Sequence, residues 1–333
     1  MSVTREQVLG YRFHVQQLDR TRSQPVSDVA ILDLGVQDTG PDGASWAFAN
    51  RGADSGRATD ASTHLVLAWT LRDAPHFYRR SEVAAVAAAT APFSDSDAAK
   101  RIFDAARPLR AAGISPLDAL DVVATEMRAI VTAPTVKGDM SARLTARLTA
   151  RLSSPYLRHC RACNAIHTYE QPFRIAALRA GLELQPDTSP PVLQRIRCWK
   201  GPAPPVPDSL DVVRAYLHLL GPATPKMVAA YVDAPVKDVK EHWPDDVVKV
   251  SIDGETRWIL ADDLAALEST VVDASVVRLL SPFDLSCRPR TVSCWGPTLI
   301  GARSCGWSWV GRVRSSSVRR SSARGDPVRR GTT

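Results

Sequence analysis

Helical spacing of apolar residues runs through much of the chain. Thr4 and Gln7 have the spacing of a capping box, and the apolar residues after them recur at steps of three and four, so we predict a helix over residues 5–19. Further helices are predicted at 82–91, 97–106 and 116–130, and buried apolar segments at 29–34 and 65–71. The pattern predicts a packed core that is mostly helical.

Residues 207–262 have the most regular pattern. Three helices are predicted to begin at the caps and first turns Asp208, Thr224-Pro225 and Val236, and to end at Gly221-Pro222, Val232 and Trp243. Alternating apolar residues at 247–252 and 255–260, joined by Asp253-Gly254, then predict a β-hairpin. Three helices followed by a hairpin is the element order of a winged helix.

We therefore expect a mainly α protein with small β-hairpins, an α+β fold of tandem winged-helix units. A short internal repeat of the helix-turn-helix pattern near residues 121–135 supports the tandem arrangement. The predicted units are an N-terminal lobe (1–112), a second helical or winged-helix-like unit (113–206), a winged helix (207–270), the start of a C-terminal element (271–284) and a tail (285–333).

Positive charge is concentrated in that tail. The sequence has 42 Lys and Arg against 35 Asp and Glu, a formal net charge of +7. Residues 285–333 contain 10 Arg and one Asp, which leaves 32 basic and 34 acidic side chains for residues 1–284. The body is nearly neutral, so the net charge does not by itself argue for nucleic-acid binding.

The tail also has an unusual composition. It combines its Arg with nine Ser, three Trp and three Cys, without helical or strand periodicity. Three interpretations compete: a basic arm that folds on nucleic acid, a disordered tail, and a segment translated from the wrong frame of a GC-rich gene. We favour the frame change, because a basic arm would also use Lys and would not scatter Trp among free thiols.

Cysteine use and hydropathy favour a cytoplasmic protein. The longest apolar stretches are far shorter than the ~20 residues of a membrane span. Residues 1–22 are charged throughout, unlike a signal peptide, and the cysteines outside the tail form no even disulfide framework.

Cys160 and Cys163, with His167 nearby, have a spacing that tetrahedral zinc favours. A fourth ligand is less clear; the weak candidates are His159, Glu170 and Cys198. The alternative is a pair of free thiols in a loop. Zinc is thus a candidate, and we expect that no cofactor is required.

Four segments resemble one known family. They are Leu34-Gly35-Val36-Gln37, Trp69-Thr70-Leu71-Arg72 with His76, the winged-helix pattern above, and Leu279-Leu280-Ser281-Pro282-Phe283-Asp284. Together they resemble the winged-helix DNA-binding proteins that include the AlkZ-type DNA glycosylases. The resemblance covers roughly residues 1–284 in the same order and fails after Asp284, which agrees with a frame change in the tail.

The resemblance implies a catalytic motif at Gln37, Asp38 and Thr39. In glycosylases of this family the motif is Gln-x-Gln or Gln-x-Asp, whose two polar side chains position a water against the glycosidic carbon. Here Gln37 matches the first position, but Thr39 stands at the third and the carboxylate lies one residue early. A shift of one residue changes the direction of a side chain. The alternative is a turn, in which Asp38 caps its own loop.

Double-stranded DNA is the partner that the resemblance implies, and no membrane is expected. The candidate DNA-binding residues are Arg72, His76, Lys226, Lys237, Lys240, His242, Lys249 and Arg257. Acidic residues are interleaved with the basic ones between residues 236 and 246, and a lone His76 is often a buried structural residue. Two alternatives to an alkylated-base glycosylase therefore stay open: a non-catalytic DNA-binding relative and a protein-interaction scaffold.

Overall fold

A computed structural model describes residues 1–40, 42–53, 64–151, 154–161, 164–271, 276–287 and 308–310. The helices are α1 (Arg5–Val15), α2 (Gly43–Ala49), α3 (Val83–Ala89), α4 (Asp95–Arg101), α5 (Ala106–Ala111), α6 (Pro116–Ile130), α7 (Lys137–Arg151), α8 (Glu170–Arg179), α9 (Val212–Leu220), α10 (Pro225–Val232), α11 (Val236–Glu241) and α12 (Leu264–Ser269). The strands are β1 (Val36–Gln37), β2 (Leu65–Trp69), β3 (Pro75–Arg79), β4 (Thr135–Val136), β5 (Leu157–Cys160), β6 (Ala165–Thr168), β7 (Leu182–Leu184), β8 (Val192–Arg195), β9 (Val247–Ile252), β10 (Glu255–Leu260), β11 (Arg278–Leu280) and β12 (Ser308–Val310). The α+β fold class is confirmed.

Helix α1 begins as predicted and ends early. The Thr4 hydroxyl accepts from the Gln7 amide at 3.2 Å, and the Gln7 side chain accepts from the Thr4 amide at 2.9 Å, which completes the capping box. The helix stops at Val15 instead of residue 19, because Gln17 adopts a left-handed φ of 61°. The chain turns there, and the Leu18 amide donates to the Phe13 carbonyl.

A six-stranded antiparallel sheet with the order β1-β3-β2-β7-β8-β4 forms the centre of residues 36–195. Every residue of β2 is buried, and Trp69 at its end lies 5.9 Å from the Phe173 ring of α8. Leu67 of β2 pairs with Leu184 of β7, so the sheet joins residues that we had assigned to the first and second units. This shared sheet positions β1 and its motif at one edge.

Residues 208–260 contain the predicted three helices and hairpin. Asp211 caps α9, since its carboxylate accepts from the Val213 and Arg214 amides at 2.9 Å. The predicted cap Asp208 is wrong, because it begins a short 3-10 turn that precedes the helix. Thr224 caps α10 and Pro225 is its first residue, as predicted. Strands β9 and β10 pair across Asp253-Gly254.

Both ends of residues 1–287 pack against other parts of the chain. Arg12 of α1 donates to the Gly221 carbonyl at 3.0 Å, which fixes the first helix on the end of α9. At the other end, Arg51 and Asp284 form a fully buried, two-pronged ion pair at 2.8 and 3.0 Å. Beyond residue 287, only β12 is described, and it pairs with β11. The rest of the predicted tail lies outside the described residues.

Within the described ranges, no helix has both the length and the apolar character that crossing a bilayer requires.

Candidate active site

Strand β1 and the residue that follows it place the first two motif residues at the edge of the central sheet. Gln37 lies opposite His76 of β3, and the Asp38 amide donates to the Pro75 carbonyl at 2.9 Å. Successive side chains of an extended segment point to opposite sides. Gln37 and Asp38 accordingly line two different cavities.

The Gln37 amide group is held by two neighbours. Its nitrogen donates to the Thr39 hydroxyl at 2.9 Å, and its oxygen accepts from the Arg72 guanidinium at 3.3 Å. Arg72 also donates to the Tyr231 carbonyl at 2.7 Å and lies 4.3 Å from the centroid of the Tyr231 ring. The first and third motif positions therefore share one side of the chain, and α10 fixes the arginine beside them.

The cavity next to Gln37 is small. Its volume is about 10 Å³, and Tyr231, Phe283 and Asp284 are among the residues that line it. A water molecule needs a cavity of roughly 10–15 Å³, so this space fits about one water and no nucleobase. We call it the closed cavity.

A tight turn between β2 and β3 brings Arg72 to this position. Arg72 and Asp73 both have left-handed backbone angles, with φ of 57° and 56°. The Asp73 carbonyl accepts from Arg174 of α8 at 3.0 Å, which ties the turn to the helix behind the sheet. Burial raises the pKa of the Asp73 side chain to about 7, and the nearby Arg174 opposes that shift.

The cavity on the Asp38 side is large and open, with a volume of about 320 Å³. Its wall contains the aromatic residues Phe48, Trp69 and Phe77, and the loop after β7 contributes Asp187 and Thr188. Burial raises the pKa of Asp38, and the neighbouring carboxylates Asp187 and Asp42 raise it further, whereas the Ala44 amide lowers it. We call this space the open cavity.

His76 lies inside the protein. It has no exposed surface, and its Nδ1 lies 2.9 Å from the Ala74 carbonyl and 3.2 Å from the Thr70 hydroxyl. The same hydroxyl lies 2.8 Å from the Tyr78 hydroxyl, and burial raises the pKa of Tyr78. This placement fits a buried structural histidine and does not offer the ring to a phosphate.

Comparison with protein families identifies the family of this chain. Residues 31–291 match the family described as DNA glycosylase AlkZ-like. The chain belongs to this family. Among solved structures, Streptomyces sahachiroi DNA glycosylase AlkZ is similar, with a TM-score of 0.64 and 18% identity over 92% of this chain and 84% of that chain. At that identity the likeness shows the fold alone. Comparison with curated protein sequences gives no match.

In this AlkZ-like protein, one side of α11, the third helix of the predicted winged helix, packs on the N-terminal lobe. The Asp238 carboxylate accepts from the Ser94 hydroxyl at 3.1 Å, and the His242 ring lies 4.5 Å from the Phe93 ring. Lys237 and Lys240 are exposed on the helix. The structure therefore leaves both lysines accessible, and His242 is also exposed although its ring contacts Phe93.

The remaining candidate DNA-binding residues lie on either side of α11 in the chain. Lys226, in the first turn of α10, and Lys249, on β9, are exposed. Arg257 is partly buried on β10 and forms an ion pair with Glu255, while Lys237 lies 3.7 Å from Glu241. Surface pairs of this kind contribute little to stability, so both cations can exchange partners.

The predicted zinc site stays a prediction. Cys160 ends β5 and His167 lies on β6, opposite Arg158, whereas Cys163 lies outside the described residues. Among the residues that are described, no three His, Cys, Asp or Glu side chains form a metal-binding group. Glu170, a candidate fourth ligand, accepts from Lys137 and Arg174 at 2.6 Å each.

Sequence patterns missed the open cavity of the AlkZ-like fold. Asp187 and Thr188 are distant in sequence from Asp38, and their own segment has only the composition of a turn. The aromatic residues were visible as apolar positions, but their convergence depends on the pairing of β2 with β3 and β7. No local spacing encodes that pairing.

Proposed function

We propose that this protein is a DNA glycosylase that hydrolyses the N-glycosidic bond of alkylated bases in double-stranded DNA. We further propose that residues 207–260 act as a winged helix on the duplex, with Lys237 and Lys240 contacting phosphates. Family membership, the motif position of Gln37 and the order of three helices and a hairpin support this function.

The observation that carries the proposal is the geometry around Gln37. Its amide is oriented by Thr39 and Arg72 beside a cavity that fits about one water. Hydrolysis of an N-glycosidic bond requires a positioned water, and an amide oxygen that accepts a hydrogen bond can hold that water in place. Thr39 supplies a hydroxyl where a relative with the Gln-x-Asp motif has a carboxylate, so less stabilisation of a cationic sugar is expected.

Base release from a duplex that contains one 7-methylguanine tests the proposal. We expect the wild type to produce abasic sites, detected as alkali-labile strand breaks, and Gln37→Ala to lower the rate by about 100-fold, the loss expected when a reacting group is no longer held in position. Gln171→Ala on α8 removes the same amide from a position outside the motif and is expected to keep the wild-type rate. Equal rates for the two variants would exclude a role of Gln37 in catalysis.

A second candidate function is that of a non-catalytic DNA-binding relative. Two observations favour it: Thr39 replaces the second polar group of the motif, and both ends of the Gln37 amide already have protein partners. If it is correct, the wild type releases no base from a panel of alkylated duplexes, whereas Thr39→Gln or Thr39→Asp gains activity.

Duplex affinity separates both candidates from a protein-interaction scaffold. For a DNA-binding protein we expect affinity to fall steeply with salt, and Lys237→Gln with Lys240→Gln to weaken binding and lower the salt slope by about 2. Fluorescence anisotropy with a labelled duplex measures both quantities. Absence of salt-dependent binding would favour the scaffold.

A further inference from the structure

The Arg72 guanidinium bridges two parts of the chain that are distant in sequence. Its Nη2 donates to the Gln37 side-chain oxygen at 3.3 Å, and its Nη1 donates to the Tyr231 carbonyl at 2.7 Å. Tyr231 belongs to α10, the second helix of the predicted winged helix, and its ring centroid lies 4.3 Å from the guanidinium carbon. The planar fork of an arginine has donors for two acceptors at once, so Arg72 connects the motif to α10.

An arginine can face only one end of an amide side chain. A guanidinium donates and never accepts, whereas an amide has an oxygen that accepts and a nitrogen that donates. Arg72 therefore selects the Gln37 oxygen and leaves the Gln37 nitrogen to donate to the Thr39 hydroxyl at 2.9 Å. The oxygen has a second lone pair, which is able to accept from a water in the closed cavity. A reversed amide would place its own donors against the cation.

The backbone that carries Arg72 is held in an unfavourable conformation. Arg72 has φ and ψ of 57° and 31°, and Asp73 has a φ of 56°, a region that favours glycine. The Asp73 amide donates to the Thr70 carbonyl at 3.2 Å, and the Thr70 amide donates to the Ala74 carbonyl at 3.1 Å, which close the turn. Strained residues of this kind persist where the surrounding contacts require them, and they cluster at functional sites.

Two other roles of Arg72 fit these contacts less well. Cleavage of a glycosidic bond develops positive charge on the sugar, and a neighbouring cation does not stabilise that charge. A phosphate contact uses the donors of the fork, but two of its nitrogens already donate to Gln37 and Tyr231, and Arg72 is partly buried. Orientation of Gln37 is the role that uses the observed hydrogen bonds.

We propose that Arg72 is a positioning residue, which holds the Gln37 amide in one orientation and so keeps its oxygen as the acceptor for the attacking water. The effect on base release rests on the proposed glycosylase function, whereas the hold on the amide does not. Arg72 then acts on the reaction through Gln37 and makes no contact with the DNA.

Exchange of the Gln37 side-chain amide protons with water measures this hold by nuclear magnetic resonance. In the full chain, isotopically labelled at its glutamine side-chain nitrogens, the signals absent from Gln37→Ala are those of Gln37. We expect Arg72→Met to accelerate their exchange about fivefold, the effect of losing roughly one hydrogen bond. The matched control is Arg195→Met, because Arg195 also donates to a backbone carbonyl at 2.7 Å but lies on β8, which three strands separate from β1. It is expected to leave the exchange unchanged.

A double-mutant cycle on base release tests whether Arg72 acts through Gln37. Arg72→Met is expected to slow the release of 7-methylguanine about tenfold in the wild-type background, because the reacting groups are no longer held in position. In the Gln37→Ala background the same substitution is expected to change the rate less than about twofold, since the residue that it positions is absent. Duplex affinity is expected to stay within about twofold of the wild type, which the loss of a phosphate contact would not allow.

The proposal is overturned by unchanged exchange in Arg72→Met, by equal acceleration in Arg195→Met, or by equal slowing of base release in both backgrounds. A fall in duplex affinity with unchanged exchange would assign Arg72 to a phosphate contact instead. If Arg72→Met does not fold, Arg72→Lys keeps the charge and the aliphatic stem but does not span both acceptors, and the same faster exchange is expected. If the wild type releases no base, the glycosylase function fails, while the exchange measurement still decides whether Arg72 holds Gln37.

Discussion

The two sides of strand β1 differ in space and in charge. On one side, the Gln37 amide accepts from a cation, Arg72, beside a cavity of about 10 Å³ that is lined by Tyr231 of α10 and by the segment around Asp284. On the other side, Asp38 meets two further carboxylates in a cavity of about 320 Å³. Gln37, the last residue of β1, and Asp38, the residue after it, thus have environments of opposite charge.

This difference bears on the altered motif. Asp38 has the chemistry that Thr39 lacks, yet alternation along the strand directs it away from Gln37 and Arg72. A carboxylate shifted by one residue therefore serves a different cavity and does not restore the motif. The closed side has room for about one water, whereas the open side is wide and lined by carboxylates.

The largest effect is expected from removing the ion pair that closes the Gln37 side. Asp284 lines the closed cavity, and its partner Arg51 is fully buried and also donates to the Gln16 carbonyl at 2.8 Å. Arg51→Ala leaves a buried carboxylate without its cation, so we expect the free energy of unfolding to fall by about 3–5 kcal/mol in urea denaturation.

The surface pair of Arg5 with Asp253 provides the matched control, because Arg5→Ala is expected to cost less than about 1 kcal/mol. If Arg51→Ala does not fold, Arg51→Met with Asp284→Leu removes both charges and is expected to recover the fold. A loss no larger than that of Arg5→Ala would show that the closed side does not depend on this pair.

Local patterns predicted many of the helices and the hairpin, because capping residues and apolar periodicity act within one turn or one strand. The single helix predicted at 97–106 is wrong, because α4 ends at Arg101 and Phe103 adopts a left-handed φ of 48°. Thr4, Thr224 and Pro225 all occupy their predicted positions. The cap predicted at Asp208 was wrong, because Asp211, three residues later, has the same carboxylate side chain and is the residue that caps α9. His76 and the open cavity depend on which strands pair across the sheet, and the sequence contains no local record of that choice.

A second, smaller effect is expected at Gly35, which directly precedes β1 and lines the closed cavity. Gly35 has a φ of +89°, and a Cβ there would lie 2.5 Å from the Tyr78 ring. Gly40 has a similar φ of +78°, with nothing within 4 Å of its Cβ position. Both Gly→Ala variants carry backbone strain of about 1–2 kcal/mol, but Gly35→Ala must also displace Tyr78, at about 1–3 kcal/mol more. If Gly35→Ala and Gly40→Ala lose equal stability in urea, the Tyr78 ring moves aside without a cost.

The smallest effect is expected in the pH dependence of the stability of Asp38→Asn. It is also the most direct test of the difference in charge between the two sides of β1. Burial and neighbouring carboxylates raise the pKa of Asp38 above its usual 3.8, so the folded state binds this proton more tightly than the unfolded state does. The charged form consequently disfavours folding at neutral pH, and this penalty disappears as the pH falls through the raised pKa toward 3.8. We expect Asp38→Asn to raise the urea midpoint at neutral pH and to match the wild type below the unfolded pKa, while exposed Asp262→Asn shows neither change. A lower midpoint for Asp38→Asn at neutral pH would mean that a cation of the protein already balances this carboxylate, and the two sides of β1 would then be electrostatically alike.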